Sequence, residues 1–492
     1  MIALRSRAAL GAIALALLAA PAAVAPAHAQ TSAAVKVDAR KLGGLADFVD
    51  GVVAQQIATR EVAGAVVTVV HNGKVLFTRG YGFADIDKGK PVDPQRTLFR
   101  PGSVSKLFTW TALMQQVELG RVNLDADVNT YLDFKIPEFG TKPIRVRDLL
   151  SHSPGMSDVG GFIFADASKV VPYGDWLKTH IPARLWEPGT EISYSNFGAA
   201  LAGYIVERVS GEPFGDYAEK HLFLPLGMTS TTFREPLTGA MLANMATGYK
   251  LVDGVFVAKP YEYLSSIMPA GSASATAPDM ARFMLAMLND GRLGAARILK
   301  PESVRLLHSN SIANTPGLNG MAHGFLVERN AGPRMVGHAG NTGDFHSDLV
   351  IVPQAGFGFF VSTTGGQKSS PARTELRDAI IGRLFPQAPA ARWTGEASAP
   401  PLGSYRANRR DYSRTPDPKR DLVVAAAGPS MLTTEADGVK TAWRQIGPRL
   451  YEQVTGARAG GPYDQIEFFG TEQDPRLSFG SSPYMTYHLV KP

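Results

Sequence analysis

Ser103 and Lys106 stand three residues apart in FRPGSVSKLFTWTALMQQVELG, the stretch from Phe99 to Gly120. An apolar run with helical spacing follows, so the two side chains share one helix face. Pro101-Gly102 turns the chain sharply into that helix. A serine at a helix N-terminus meets free N–H groups and the positive dipole end, which favour developing negative charge. A lysine one turn on reaches its hydroxyl. If that lysine is partly buried, desolvation lowers its pKa and lets it act as a base. The pair then reads as a nucleophile and its activator. Taken alone it also fits an N-cap serine beside a solvated lysine, and a lone S-x-x-K carries little weight.

Two other stretches offer partners. Tyr194 and Asn196 precede an amphipathic run in GTEISYSNFGAALAGYIVERVSG. There a phenol would relay a proton and an amide would orient substrate or lysine. The alternative is a packing tyrosine beside an N-cap asparagine. His338, Ala339 and Gly340 in GHAGNTGDF enter or line a strand rich in small residues. Small residues let a substrate backbone lie along a strand edge. The Asn341 N–H then becomes a second oxyanion donor beside that of Ser103. Taken alone, His338 also fits a satisfied core or surface residue. His152 and Asp148 in RDLLSHSPGM form a lesser candidate for a Ser-His-Asp set, because a histidine at a helix end commonly caps carbonyls. SSIMPAGSASATAPDM reads as cleft wall, with no catalytic residue of its own.

These residues need elements to hold them. Apolar spacing predicts helices over 42–59, 103–119, 145–151, 195–210, 214–221 and 278–290, and a last one closing near Phe385. Two β-branched runs flank Asn72-Gly73, a strong hairpin signal. Strands return in MVGHAGNTGDFHSDLVIVPQAGFGFFVSTTG. Strands at both ends therefore enclose a helical middle. The expected fold class is α+β: an antiparallel sheet flanked by helices with a helical insert. PQAPAARWTGEASAPP reads as a Pro/Ala linker. Beyond it LVVAAAG, VKTAWRQIG, RLYEQVTG, DQIEFFG and YMTYHLV read as short strands of a small all-β sandwich or barrel. The expected organisation is a leader over 1–29, a catalytic domain over 30–388, a linker over 389–401 and a β-rich accessory domain over 402–492. Such a linker predicts few crossing contacts and a catalytic domain that folds alone.

Arg5 and Arg7, the apolar run Ala8–Ala20 and the small-x-small site in APAHAQ predict a secretory signal peptide cleaved after Ala29. The mature protein is expected in the periplasm or outside the cell. The chain has no cysteine, which excludes disulfides, thiolate metal sites and a cysteine nucleophile. A net charge of +6 over 492 residues points to no nucleic acid partner. The richest basic stretch, Arg406–Arg420, reads as solvated surface. After the leader, no run of eighteen apolar residues predicts a membrane span. No H-E-x-x-H or other metal pattern appears, and the chemistry suggested needs no cofactor.

In the order S-x-x-K, Y-x-N, H-x-G, the sequence resembles the serine β-lactamase and penicillin-binding-protein superfamily. It is most similar to the class C-like branch that holds D,D-carboxypeptidases, D-aminopeptidases and family VIII carboxylesterases. TLFRPGSVSKLFT, IRVRDLLSHSPGM, YSNFGAALAGYIVERVSGEPF, PLGMTSTTF, APDMARFM and GHAGNTGDFHS extend the likeness over roughly 42–385. The resemblance implies Ser103 as the acylated nucleophile, Lys106 and Tyr194 sharing acid and base work, and Asn196 positioning substrate. His338 stands where better-known members carry the lysine of K-T-G. A histidine with an ordinary pKa near 6.5 is only partly charged at neutral pH, which argues against efficient β-lactam turnover. The expected activity is hydrolysis of small acyl esters. The alternatives are D-amino-acid peptides with weak β-lactamase action, or an inactive peptidoglycan or partner binder.

Overall fold

Asn72 and Gly73 both take positive φ, 47° and 79°, and His71 pairs with Lys74 across them. Two such residues make the two-residue turn whose twist matches the flanking strands. The hairpin joins Gly64–His71 to Lys74–Asp85, as the sequence predicts. On its other edge Gly64–His71 pairs antiparallel with Phe357–Thr364. The early and late segments thus close one seven-stranded sheet. Its order is Lys90–Pro91, Lys74–Asp85, Gly64–His71, Phe357–Thr364, Phe345–Val352, Met335–Asn341, Leu326–Arg329. This computed structural model describes residues 35–329, 332–388, 390–395, 400–454 and 464–491. The leader over 1–29 and part of the linker lie outside them.

Period-two alternation decides which side chain meets which layer. Ala65, Val67 and Val69 bury against Leu45–Ala58 and Ser369–Leu384, the first and last long helices. Val66 and Val70 face the other way, into the helical insert, with Leu349, Ile351 and Val336. Lys106–Glu118 and Asn196–Ser210 form the centre of that insert. Gly340 and His338 follow Val336 at the same alternation, so their strand turns them toward the Ser103 helix.

The C-terminal strands close into an eight-stranded barrel from Gly403–Ala407 to Tyr487–Leu489. Tyr405, Trp443, Tyr451, Phe468 and Leu477 fill its interior. The expected short strands are present. Gly403–Ala407, Met431–Ala436 and Pro475–Phe479 add three that the sequence pattern missed. No described helix is long and apolar enough to cross a membrane.

The expectation of few contacts across the linker is not met. Glu191, 5% exposed, accepts from Asn408 Nδ2 at 2.7 Å and pairs with His488 at 2.7 Å and Arg476 at 3.4 Å. Burial alone would lower the His488 pKa, but its bonds to Glu191 and Asp474 raise it. Asn314 Nδ2 donates to Ser478 Oγ at 2.9 Å and to the Met485 carbonyl at 3.0 Å. Tyr484 packs on an apolar seam of Ile192, Met321 and Leu326. Pro/Ala composition reports how a segment is built, not what the pieces on either side do to one another.

Candidate active site

Gly102–Ser105 is a single 3-10 turn that runs directly into the helix Lys106–Glu118. Gly102 takes φ +55°, and a Cβ there would lie 2.9 Å from the Asn341 nitrogen. A Cβ on Gly340 would lie 1.9 Å from the Pro101 carbonyl oxygen. The glycines therefore let the Ser103 turn press against the strand Met335–Asn341. The sequence attributes the small residues to an approaching substrate; in the structure it is the protein's own Ser103 turn that needs the room.

Lys106 is fully buried, while Ser103 is partly exposed. The Lys106 Nζ lies 3.0 Å from Ser103 Oγ, 2.8 Å from Asn196 Oδ1 and 2.6 Å from the Ala270 carbonyl. Two of these partners are acceptors only. Burial, and after it the Arg409 charge, push the Lys106 ammonium well below its ordinary pKa. A neutral amine has two hydrogens and one lone pair. In that neutral form, Asn196 and Ala270 would take the hydrogens and the lone pair would face Ser103. Ser195 caps the next helix through Oγ and the Gly198 N–H at 2.9 Å, which leaves the Asn196 side chain free for the lysine. Ala270 comes from the predicted cleft wall, at a position no spacing rule singles out.

The Tyr194 ring is packed on several sides. His152 stacks on it at 4.2 Å, Lys106 Nζ lies 5.0 Å from its centre, and His338 lies 5.9 Å away. Its hydroxyl is buried and has no hydrogen-bond partner among the described residues. Burial raises the phenol pKa well above its ordinary value; Arg409 and the neighbouring Ser103 hydroxyl oppose that shift. The phenol therefore stays protonated.

His338 differs from its expected state. It is 2% exposed, and burial lowers its pKa to about 3. It is neutral at pH 7, not partly charged. The Asn341 amide oxygen is hydrogen-bonded to His346 at 2.8 Å, which leaves the backbone of Asn341 as the part beside the Ser103 turn. His152 and Asp148 do not form a relay. Asp148 Oδ2 accepts from the Arg145 N–H at 2.8 Å, and His152 Nδ1 accepts from the Ser195 N–H at 3.2 Å. The histidine thus holds the Tyr194 segment in place. No group of three or more possible metal ligands gathers among the described residues.

Two residues of the barrel reach this site, and the sequence reading had neither. Arg409 Cζ lies 4.4 Å from the centre of the Tyr194 ring. Tyr484 packs on Tyr194 at 5.6 Å, and its carbonyl accepts the Tyr194 N–H at 3.0 Å. Arg409 belongs to the basic stretch expected to be solvated. Nothing in its local pattern separates it from Arg406, which pairs with Asp421 away from the site at 2.6 Å. A surface cavity of about 760 Å³, lined by Val75, Leu224, Arg282 and Leu293, involves none of these residues.

Known proteins resemble this chain in sequence and in fold. The chain is 26% identical to Protein flp of Staphylococcus aureus over 322 residues, which cover 64% of this chain and 62% of that protein. The chain thus spans under two thirds of that relative's length. An octameric penicillin-binding protein homologue from Pyrococcus abyssi superposes with a TM-score of 0.59 at 20% identity, covering 90% of this chain and 99% of that one. At that identity the likeness is one of fold alone. The D-amino acid amidase of Ochrobactrum anthropi SV3 superposes with a TM-score of 0.58 at 25% identity, over 69% of this chain and 97% of that one. The family model described as Beta-lactamase matches residues 49–382, well over half the sequence. The chain therefore belongs to the Beta-lactamase family, within the serine β-lactamase and penicillin-binding-protein superfamily.

Proposed function

We propose that this protein is an exported serine hydrolase that acts on small acyl esters through an acyl-enzyme on Ser103. The observation that carries the reading is the three-way contact of Lys106 Nζ with Ser103, Asn196 and Ala270. With the amine neutral, it aims a lone pair at the Ser103 hydroxyl.

Ser103 Oγ attacks the acyl carbonyl as its proton passes to Lys106 Nζ. The oxyanion meets the N–H groups of Ser103 and Asn341, on the two segments that Gly102 and Gly340 hold together. Tyr194, kept protonated by burial, passes a proton to the leaving oxygen and is refilled from Lys106. Water then takes the alcohol's place and the steps reverse, which frees the acid. Asn196 holds Lys106 and the substrate in register. No step calls for a cofactor. Because His338 is neutral, it shapes the strand edge and does not hold a substrate carboxylate by charge.

D-Amino-acid amides or peptides form a second reading, favoured by the match to an amidase of that specificity over 69% of the chain. The predicted leader supports action in the periplasm or outside the cell. The test is labelling with a fluorescent fluorophosphonate, followed by turnover of short-chain p-nitrophenyl esters, D-alanine p-nitroanilide and nitrocefin. Wild type should label and favour the esters. Ser103→Ala should lose both, at a cost to stability of about 1 kcal/mol or less. Turnover above about 1% of wild type in that variant would remove Ser103 from the nucleophile role, since losing a nucleophile costs far more.

A further inference from the structure

We propose that Arg100 is a positioning residue: its buried pairing with Glu235 locks the Ser103 turn to the segment that carries the Ala270 carbonyl, and so sets the geometry in which Lys106 meets the serine. The proposal deepens the Ser103 reading and rests on it.

Arg100 stands just ahead of the Ser103 turn, and both it and Glu235 are buried. The chain enters it from Phe99, whose N–H and carbonyl each bond to Ala275 at 3.0 Å. Its Nη1 donates to the Glu262 carbonyl. Its Nη2 donates to Glu235 Oε1 and, at 3.4 Å, to the Ser272 carbonyl. The guanidinium also lies 4.7 Å from the centre of the Tyr261 ring. Glu235 turns its second oxygen to the same segment: Oε2 accepts from the Leu264 N–H at 2.7 Å and from Ser265 Oγ at 2.6 Å. The pair therefore grips 262–272 at both ends. Ala270 lies inside that stretch, on the short helical turn Met268–Gly271. A Cβ on Gly271 would lie 3.9 Å from the Gly102 carbonyl carbon, so the stretch abuts the Ser103 turn itself. Glu262 carries the link one step further. Its carboxylate accepts from Thr342 Oγ1 and, at 2.6 Å, from the Gly343 N–H. Those two residues directly follow Asn341, the second oxyanion donor of the proposed reaction.

Burial opposes the Arg100 cation, but Tyr261, Glu235 and Glu262 overcome it, and the guanidinium stays charged. A buried ion pair adds little net stability over well-packed apolar side chains. What it adds is direction. A planar fork and two carboxylate oxygens fix both distance and angle between the segments they join, where apolar contacts would let those segments slide. Among the described residues Arg100 bonds to neither Ser103 nor Lys106, so it acts through the segments it joins. Lys106 Nζ meets the Ala270 carbonyl at 2.6 Å and Ser103 Oγ at 3.0 Å, one contact on each side of the Arg100 clasp. A slip between the two sides therefore turns the amine away from the serine. The stretch that reads from sequence as plain cleft wall thus holds the base in register.

The experiment follows fluorophosphonate labelling of the full chain under excess probe. The amplitude counts folded sites, and the rate constant reports how well each Ser103 is placed. Arg100→Met, Arg100→Lys and the double variant Arg100→Met/Glu235→Gln are compared with wild type. The double variant removes both charges and keeps an oxygen for Leu264 and Ser265, so its melting temperature should return toward that of wild type. In Arg100→Met and in the double variant the rate constant should fall about 100-fold, the cost of a misplacement of about 1 Å. Turnover of a neutral p-nitrophenyl ester should show the same loss in kcat and not in KM. Arg100→Lys keeps the charge without the fork and should fall in between; it also serves if Arg100→Met does not fold. A smaller amplitude at an unchanged rate constant would overturn the proposal and leave Arg100 a residue of the fold alone. So would a double variant that regains the rate constant along with its melting temperature. If wild type labels, the Ser103 reading stands whichever way the variants fall; if wild type does not label, both fail.

Discussion

Gly340→Ala should disable the enzyme without touching a reacting atom. The added Cβ would lie 1.9 Å from the Pro101 carbonyl oxygen, 2.9 Å from the Val104 nitrogen and 3.0 Å from the Pro101 carbonyl carbon. All three are backbone atoms, so no side chain can swing away. Ordinary contact begins near 3.4 Å, and the turn must retreat by roughly 1.5 Å to reach it. That turn carries Ser103, while Lys106 is fixed to Asn196 and Ala270 deeper in the core. The retreat separates the serine from the Asn341 N–H. A misplacement of about 1 Å costs on the order of 100-fold in rate, and overpacking costs about 1–3 kcal/mol in stability. The assay is kcat/KM for a neutral p-nitrophenyl ester beside a thermal melt, with Gly43→Ala as the control, since nothing lies within 4 Å of its new methyl. The expected result is a loss of about 100-fold or more in folded protein, and a near-normal control. Activity within threefold of wild type would refute the claim that this close approach places the nucleophile.

Three further outcomes are expected. Only a deprotonated Lys106 can take the Ser103 proton, so kcat/KM should fall as pH drops through its lowered pKa. Arg409 disfavours the ammonium, so Arg409→Met should raise that pKa and move the acid limb to higher pH. A shift to lower pH would contradict the charge argument. His338 should stay neutral down to pH 5, with no imidazole titration by nitrogen NMR between pH 5 and 8; a midpoint near 6.5 would show that the ring is solvated. Removing residues 402–492 should give an insoluble or inactive product, because Glu191, Asn314 and the Ile192 seam lose their partners; a soluble, fully active fragment in ester assays would show the barrel to be dispensable.

What the sequence determined by itself is local. The Ser103–Lys106 spacing, the Asn72-Gly73 hairpin and the apolar faces of 45–58 and 196–210 are legible because backbone dihedrals and helix faces follow from neighbouring residues. The order of the three motifs was enough to place the chain in its superfamily. Contacts and desolvation required the tertiary structure. Ala270 meets Lys106 across 164 residues of sequence. Gly340 is a glycine because a distant turn leans on it. His338 is neutral because of what covers it, which spacing does not encode. Arg409 looked like surface until the barrel folded back, and the linker's composition suggested independence that the polar interface does not allow. Periodicity encodes which way a side chain points from its own element, but the charge and partners of a buried group depend on which other elements close over it, and those come from anywhere in the chain.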